Sequence, residues 1–168
     1  FYIEKKLRER MRIPVFHDDQ HGTAIISAAA VLNGLRVVGK QIEEVKLVCS
    51  GAGAAAIACV NLMIALGLRR ENVWMTDSKG VVSKRRLADL DPSKAQFAQN
   101  TAAMTLGEVV AGADIFLGLS TAGVLKPEMV RTMADKPLIL ALANPVPEIL
   151  PEDAKAVRPD CIIATGRT

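Results

Sequence analysis

Aromatic residues are scarce, with four Phe, one Tyr and one Trp in 168 residues, so the chain lacks a platform on which successive bases of a nucleic acid would stack. An excess of one charge is missing too. The 21 Lys plus Arg against 18 Asp plus Glu leave only +3, too little for a polyanion binder without a concentrated basic stripe. The basic runs, Lys5, Lys6, Arg8, Arg10 and Arg12, then Lys84, Arg85 and Arg86, are interleaved with Glu or fall in an expected loop and read as solvated faces. Nucleic acid is therefore not an expected partner. Cysteine is limited to Cys49, Cys59 and Cys161, an odd number set in apolar runs, where a thiol behaves as a small hydrophobe. No disulfide framework is expected, and a reducing, cytoplasmic compartment is. Neither a signal peptide nor 18 uninterrupted apolar residues occurs, and Asn61 breaks the longest apolar helical run, so no membrane partner is expected. The chain starts at Phe1 without a Met and stops just after an apolar run, as expected of a piece of a longer protein.

What is present is a core. Half of the residues are hydrophobic and 23% are charged, and at this length about 70% of the unfolded surface is buried on folding without help from disulfides or metals. Ile3, Leu7 and Met11 make a narrow apolar stripe on an expected surface helix closed by Pro14. From Ala24 to Leu35 the residues are apolar on nearly all sides, which predicts a buried helix. Val45–Cys49, Val73–Thr76, Ile115–Leu119, Leu138–Ala143 and Cys161–Ala164 are short continuous apolar runs. They alternate with helical segments, one opened by a Thr105/Glu108 capping box and one by Pro151. That alternation predicts an α/β fold, a doubly wound parallel sheet with helices on both faces. Ligands of such sheets bind outside the carboxyl ends of the strands; Gly51, Asp77, Ser120 and Asn144 all lie there.

Gly51, Gly53 and Ala56 match the dinucleotide fingerprint G-x-G-x-x-A. Gly51 permits the tight turn, Gly53 lets backbone approach a pyrophosphate, and Ala56 lets helix pack on strand. A strand precedes the motif, a helix follows, and Asp77 ends the next strand, where an acid binds the adenosine ribose and favours NAD. Ser78, Lys79 and Lys94 point the other way, since a hydroxyl and ammonium groups suit a 2′-phosphate. His17, Asp18, Asp19, Gln20 and His21 concentrate ionisable groups before the apolar helix. Their carboxylates either interact with the helix dipole or supply an oxygen ligand to Mg²⁺ or Mn²⁺. His17 and His21 have no further His or Cys at zinc-ligand spacing and read either as structural or as residues that support a ligand from behind. Asn144 is either a turn residue or a hydrogen-bond donor to substrate, and Ser120 either a helix cap or part of the wall around a nicotinamide ribose. Trp74, three residues before Asp77, is expected to report a bound nucleotide by its fluorescence.

The segments PVFHDDQHGT, SGAGAAA, DSKG and ALANP together resemble the malic enzymes, particularly the bacterial type. That resemblance implies oxidative decarboxylation of malate to pyruvate and CO₂, with NADP or NAD and Mg²⁺ or Mn²⁺ as cofactors. It matches Asp19 to a metal ligand, Asp18 to the neighbour supporting a catalytic lysine, and Asn144 to a malate contact. Thr23, Gly51, Gly53, Ala56, Asp77, Ser78 and Lys94 match cofactor-binding positions, Ser78 with Lys94 leans towards NADP, and Ala54 and Ser120 are further cofactor-binding candidates. By the same resemblance, residues 1–22 form a helix and acidic connection from a preceding catalytic region, and residues 23–168 form the NAD(P)-binding domain. The general base, the general acid and two metal ligands belong to an upstream segment, so the 168 residues alone are expected to be inactive and the full-length parent to be a homo-oligomer. A malolactic enzyme and a non-catalytic dinucleotide-binding module are the alternative readings.

Overall fold

A computed structural model describes residues 2–166. Helix α1, Tyr2–Arg10, leads through an extended stretch to the long helix α2, Asp18–Val38. Then come β1 (Leu47–Ser50), α3 (Ala54–Ala65), β2 (Val73–Asp77), β3 (Gly80–Val81) and α4 (Pro92–Ala95). The chain continues with α5 (Leu106–Val110), β4 (Ile115–Gly118), α6 (Pro127–Arg131), β5 (Leu138–Ala141), α7 (Pro151–Val157) and β6 (Ile162–Thr165).

The six strands hydrogen-bond in the order β3-β2-β1-β4-β5-β6. All neighbours are parallel except β3, which turns back antiparallel on β2. Order reverses between β1 and β4, the switch point where α/β sheets bind ligands. Period-two alternation sorts the strand side chains between two cores. Leu47, Cys49, Val73, Met75, Ile115, Leu117, Leu138 and Leu140 pack with Val31 and Leu35 of α2 and Ile57, Val60 and Met63 of α3. Val48, Phe116, Ile139 and Ala141 face Val109 and Val110 of α5, Val130 of α6 and Ala154 of α7. Both faces are covered, which is why β1, β4 and β5 are buried at every residue.

Several sequence expectations need correction. Helix α2 begins at Asp18, and it is not buried throughout: Ile25 is 59%, Ile26 67% and Val37 78% exposed. It has the length and hydropathy of a membrane span, yet one face, carrying Ala24, Ala28, Val31 and Leu35, is packed into the core. It runs unbroken through residues 22 and 23. On α1, which ends four residues before Pro14, Ile3 is 74% exposed and Glu4 is buried, the reverse of the apolar stripe. The strands are shorter or shifted: β1 starts at Leu47, β5 stops at Ala141, and β6 runs from Ile162. The Thr105/Glu108 capping box forms with both reciprocal bonds. Arg8, Arg10 and Arg12 are exposed as expected; the Lys5 side chain lies outside the described residues.

The three thiols, Cys49, Cys59 and Cys161, are free and buried. Burial pushes Cys59 up to about 11 and Cys49 well above its ordinary value, so neither is a thiolate at neutral pH.

Candidate functional site

At the carboxyl edge of the sheet a cavity of about 380 Å³ lies across the switch point, lined by Ser50, Gly51, Ala52, Gly53, Thr76, Asp77, Ser78, Lys94, Ser120, Thr121 and Val124. A second hollow shares Ala52, Gly53 and Lys94 with it and extends the cleft over Ala54 and Ile57 to Asp91, Pro92 and Ser93.

The glycines shape the floor. Gly51 has φ +119°, and a Cβ there would stand 2.4 Å from the Leu119 carbonyl oxygen. Its N–H donates to the Thr76 carbonyl at 2.9 Å while the Leu119 N–H donates to the Ser50 carbonyl at 2.8 Å. Gly51 is therefore wedged where β1, β2 and the loop after β4 converge. Gly53 has φ −85° and ψ −172°, a backbone that any residue adopts, and a Cβ there would meet no atom within 4 Å. It is the N-cap of α3, and no side chain caps that helix, which leaves the first-turn N–H groups open to an acceptor. Ala56, 1% exposed, is the close helix-to-strand contact.

Asp77 is already paired. Nη2 of Arg86 donates to both carboxylate oxygens, at 3.0 and 2.9 Å, and Nη1 donates to the carbonyls of Gly80 and Val81. The sequence reading of Arg86 as a solvated loop residue is thus wrong: it clamps the β2–β3 hairpin to the acid at its base. Lys94 Nζ stands 4.0 Å from the same carboxylate, and the Lys79 N–H donates to it at 2.9 Å. Burial raises the carboxyl, but Arg86, the Lys79 N–H and Lys94 together hold it below its ordinary value. Arg86 and Lys94 thus flank the Asp77 carboxylate, and a second acid, Asp91, lines the cleft beside Lys94.

At the other end, Ser50 Oγ and Ser120 Oγ are 2.8 Å apart. Ser120 in turn is held by Glu148, a fully buried carboxylate that sequence reasoning did not single out.

Asp18, Asp19 and Asn144 lie outside this cleft and are exposed. Gly34 packs on Leu138 at the start of β5, so α2 runs antiparallel to the strands and lifts Asp18, Asp19 and half-buried Thr23 towards their carboxyl end. Asn144 follows β5 at that same end. The Asp18 carboxylate folds over Gly22, where a Cβ would be 2.1 Å from its Oδ1. His21 Nε2 lies 2.6 Å from Glu4 Oε1. Among the described residues no three His, Cys, Asp or Glu side chains gather to hold a metal, so Asp18 and Asp19 do not by themselves form a cation site. Trp74 lies beneath Lys46 Nζ, 5.3 Å from its ring centroid, and packs on the α5 face. Lys46 immediately precedes β1, at the end of the sheet opposite the cleft, and Trp74 is not among the residues that line the cleft.

Residues 20–167 match the family described as malic enzyme, NAD binding domain. The chain belongs to that family. It is 63% identical over its full length to the NADP-dependent malic enzyme of Escherichia coli K12 and 62% identical to the NAD-dependent malic enzyme of Rhizobium meliloti, covering 22% of each. The crystal structure of the NAD-dependent malic enzyme from Thermotoga maritima superimposes with a TM-score of 0.91 at 43% identity, over all of this chain and 45% of that one. D-lactate dehydrogenase from Lactobacillus jensenii, at TM-score 0.62 and 14% identity, shares the fold alone. The chain thus has the Rossmann-type fold of the malic enzyme NAD-binding family and spans about a fifth of the length of these two curated relatives.

Proposed function

We propose that the cleft over β1 and β4 binds NADP, and that the full-length protein uses it to oxidise malate to pyruvate and CO₂. The observation that carries the coenzyme reading is the Asp77–Arg86–Lys94 cluster. An acid free to accept from a ribose 2′-hydroxyl would favour NAD; here Arg86 occupies it, and the neighbouring Lys94 and exposed Ser78 suit a 2′-phosphate. The pyrophosphate then lies over Gly51 and Gly53 against the start of α3, with Ala54 beneath it, and the nicotinamide half extends towards Ser120. Asn144, from the same sheet end, contacts malate, and Thr23 contacts the coenzyme from α2.

In the full-length protein Asp19 contributes one oxygen ligand to Mg²⁺ or Mn²⁺, and Asp18 supports the catalytic lysine. The bound cation would supply Lewis-acid stabilisation of the substrate's C2 oxygen. The described residues form no complete cation site, and the chain by itself is proposed to bind coenzyme but to form no pyruvate. The full-length protein is proposed to work as a homo-oligomer in the reducing cytoplasm, with its thiols buried and protonated.

Lys94→Ala in the full-length protein tests the coenzyme reading. The expected result is a KM for NADP raised about tenfold, the size of one charge-assisted contact, with the KM for NAD unchanged. Equal effects on both coenzymes, or none, would refute it.

A further inference from the structure

Glu148 is fully buried, and its carboxylate reaches two loops at once. Oε1 accepts from the Ser120 N–H at 3.0 Å and lies 3.4 Å from Ser120 Oγ, while Oε2 accepts from the Ala143 N–H at 3.0 Å. Its own backbone carbonyl accepts from the Leu125 N–H at 3.1 Å. One side chain therefore bolts the loop leaving β4 to the loop leaving β5, immediately beside Asn144. The sheet has made room for it: a Cβ on Gly118, the last residue of β4, would be 2.4 Å from the Glu148 carboxyl carbon. No Lys, Arg or His pairs with it among the described residues, so three hydrogen-bond donors from the two loops are what hold it. Glu148 is absent from the cleft lining and so acts only through Ser120 and Ala143.

We propose that Glu148 is a positioning residue for the nicotinamide half of the coenzyme. The inference rests on the reading of the cleft as a nicotinamide dinucleotide site. The adenosine half is set by Asp77, Arg86 and Lys94, on the β2 side of the glycine turn. The nicotinamide half falls on the β4 side, where Ser120 forms the wall and Asn144 faces substrate. Glu148 sets the spacing of those two loops and makes no contact with the adenosine end.

Glu148→Gln is the discriminating substitution, because it keeps the volume and changes the pairing. A carboxylate accepts at both oxygens, whereas an amide carries donors at one end. That end then confronts either the Ser120 or the Ala143 N–H, leaving two buried donors facing each other. The test compares full-length wild type and Glu148→Gln for binding of a whole coenzyme and of its adenosine half: NADPH with 2′,5′-ADP, or NADH with ADP if NAD is preferred. The expected result is reduced-coenzyme binding weakened about tenfold, with adenosine-half binding within twofold of wild type and an unchanged circular dichroism spectrum. Wild-type coenzyme binding by the variant would overturn the inference, as would equal loss of both ligands, which marks a residue supporting the fold as a whole. A wild type that binds neither ligand would overturn the cofactor reading itself. If Glu148→Gln fails to fold, Gly118→Ala, which leaves Glu148 in place and displaces its carboxylate, is expected to give the same split between the two ligands.

Discussion

Gly51 and Gly53 serve the cleft for different physical reasons. Gly51 occupies a left-handed backbone under the Leu119 carbonyl, so Gly51→Ala brings both torsional strain and a backbone clash and is expected to lower stability by at least about 1–3 kcal/mol in chemical denaturation. Gly53 has an ordinary backbone and open space where its Cβ would be, so Gly53→Ala should denature within about 0.5 kcal/mol of wild type. What that Cβ would obstruct is an approaching pyrophosphate. Asp77 carries a pH dependence of determinate sign. Its carboxyl is held below the ordinary value in the folded state, so its pair with Arg86 stabilises above the unfolded pKa of about 3.9 and is lost as pH falls through the lower folded value. Arg86→Ala should therefore narrow the stability gap between pH 6 and pH 3, measured from urea midpoints at the two pH values. These residues were unequally legible in the sequence. The glycine fingerprint and Asp77 stand at fixed offsets from a strand. Arg86 was lost in a basic run, because its partner lies across a hairpin that no hydrophobic pattern marks. Glu148 had a signal that went unused, an acid set in the otherwise apolar segment PVPEIL.

At the scale of elements, the alternation of apolar runs with helical segments was enough to read β1, β2, β4, β5 and β6 and their parallel pairing, because strands buried on both faces are continuous hydrophobic runs. The β3 arm was not readable: it has two residues, and its place depends on Gly80 at φ +102° beneath the Met104 carbonyl oxygen. Helix α2 was misread for another reason. Its composition is apolar all round, while the sheet and α3 cover only one side of it, leaving Ile25, Ile26 and Val37 outside. Ile26→Ser should accordingly change stability by less than about 0.5 kcal/mol. The short helix α5 depends on its ends. Thr105 Oγ1 accepts from the Glu108 N–H and the Thr105 N–H donates to Glu108 Oε2, so Thr105→Ala should cost about 1 kcal/mol in a denaturant titration.

For the whole molecule, the residues that line the cleft lie on one edge of the sheet, because strands and crossover helices run in a fixed sense and the switch point falls between β1 and β4. The acidic stretch at the start of α2 is separate from that cleft. Asp19→Ala in the full-length protein is therefore expected to raise the Mn²⁺ concentration needed for activity by an order of magnitude or more while leaving NADPH binding unchanged. The central claim is that the space above Gly53 belongs to a dinucleotide. Its most direct measurement is a titration of wild type and Gly53→Ala with NADPH, followed by the coenzyme's own fluorescence. The account predicts saturable binding by wild type and at least about tenfold weaker binding by a variant of equal stability. Equal affinity in the two proteins would contradict it.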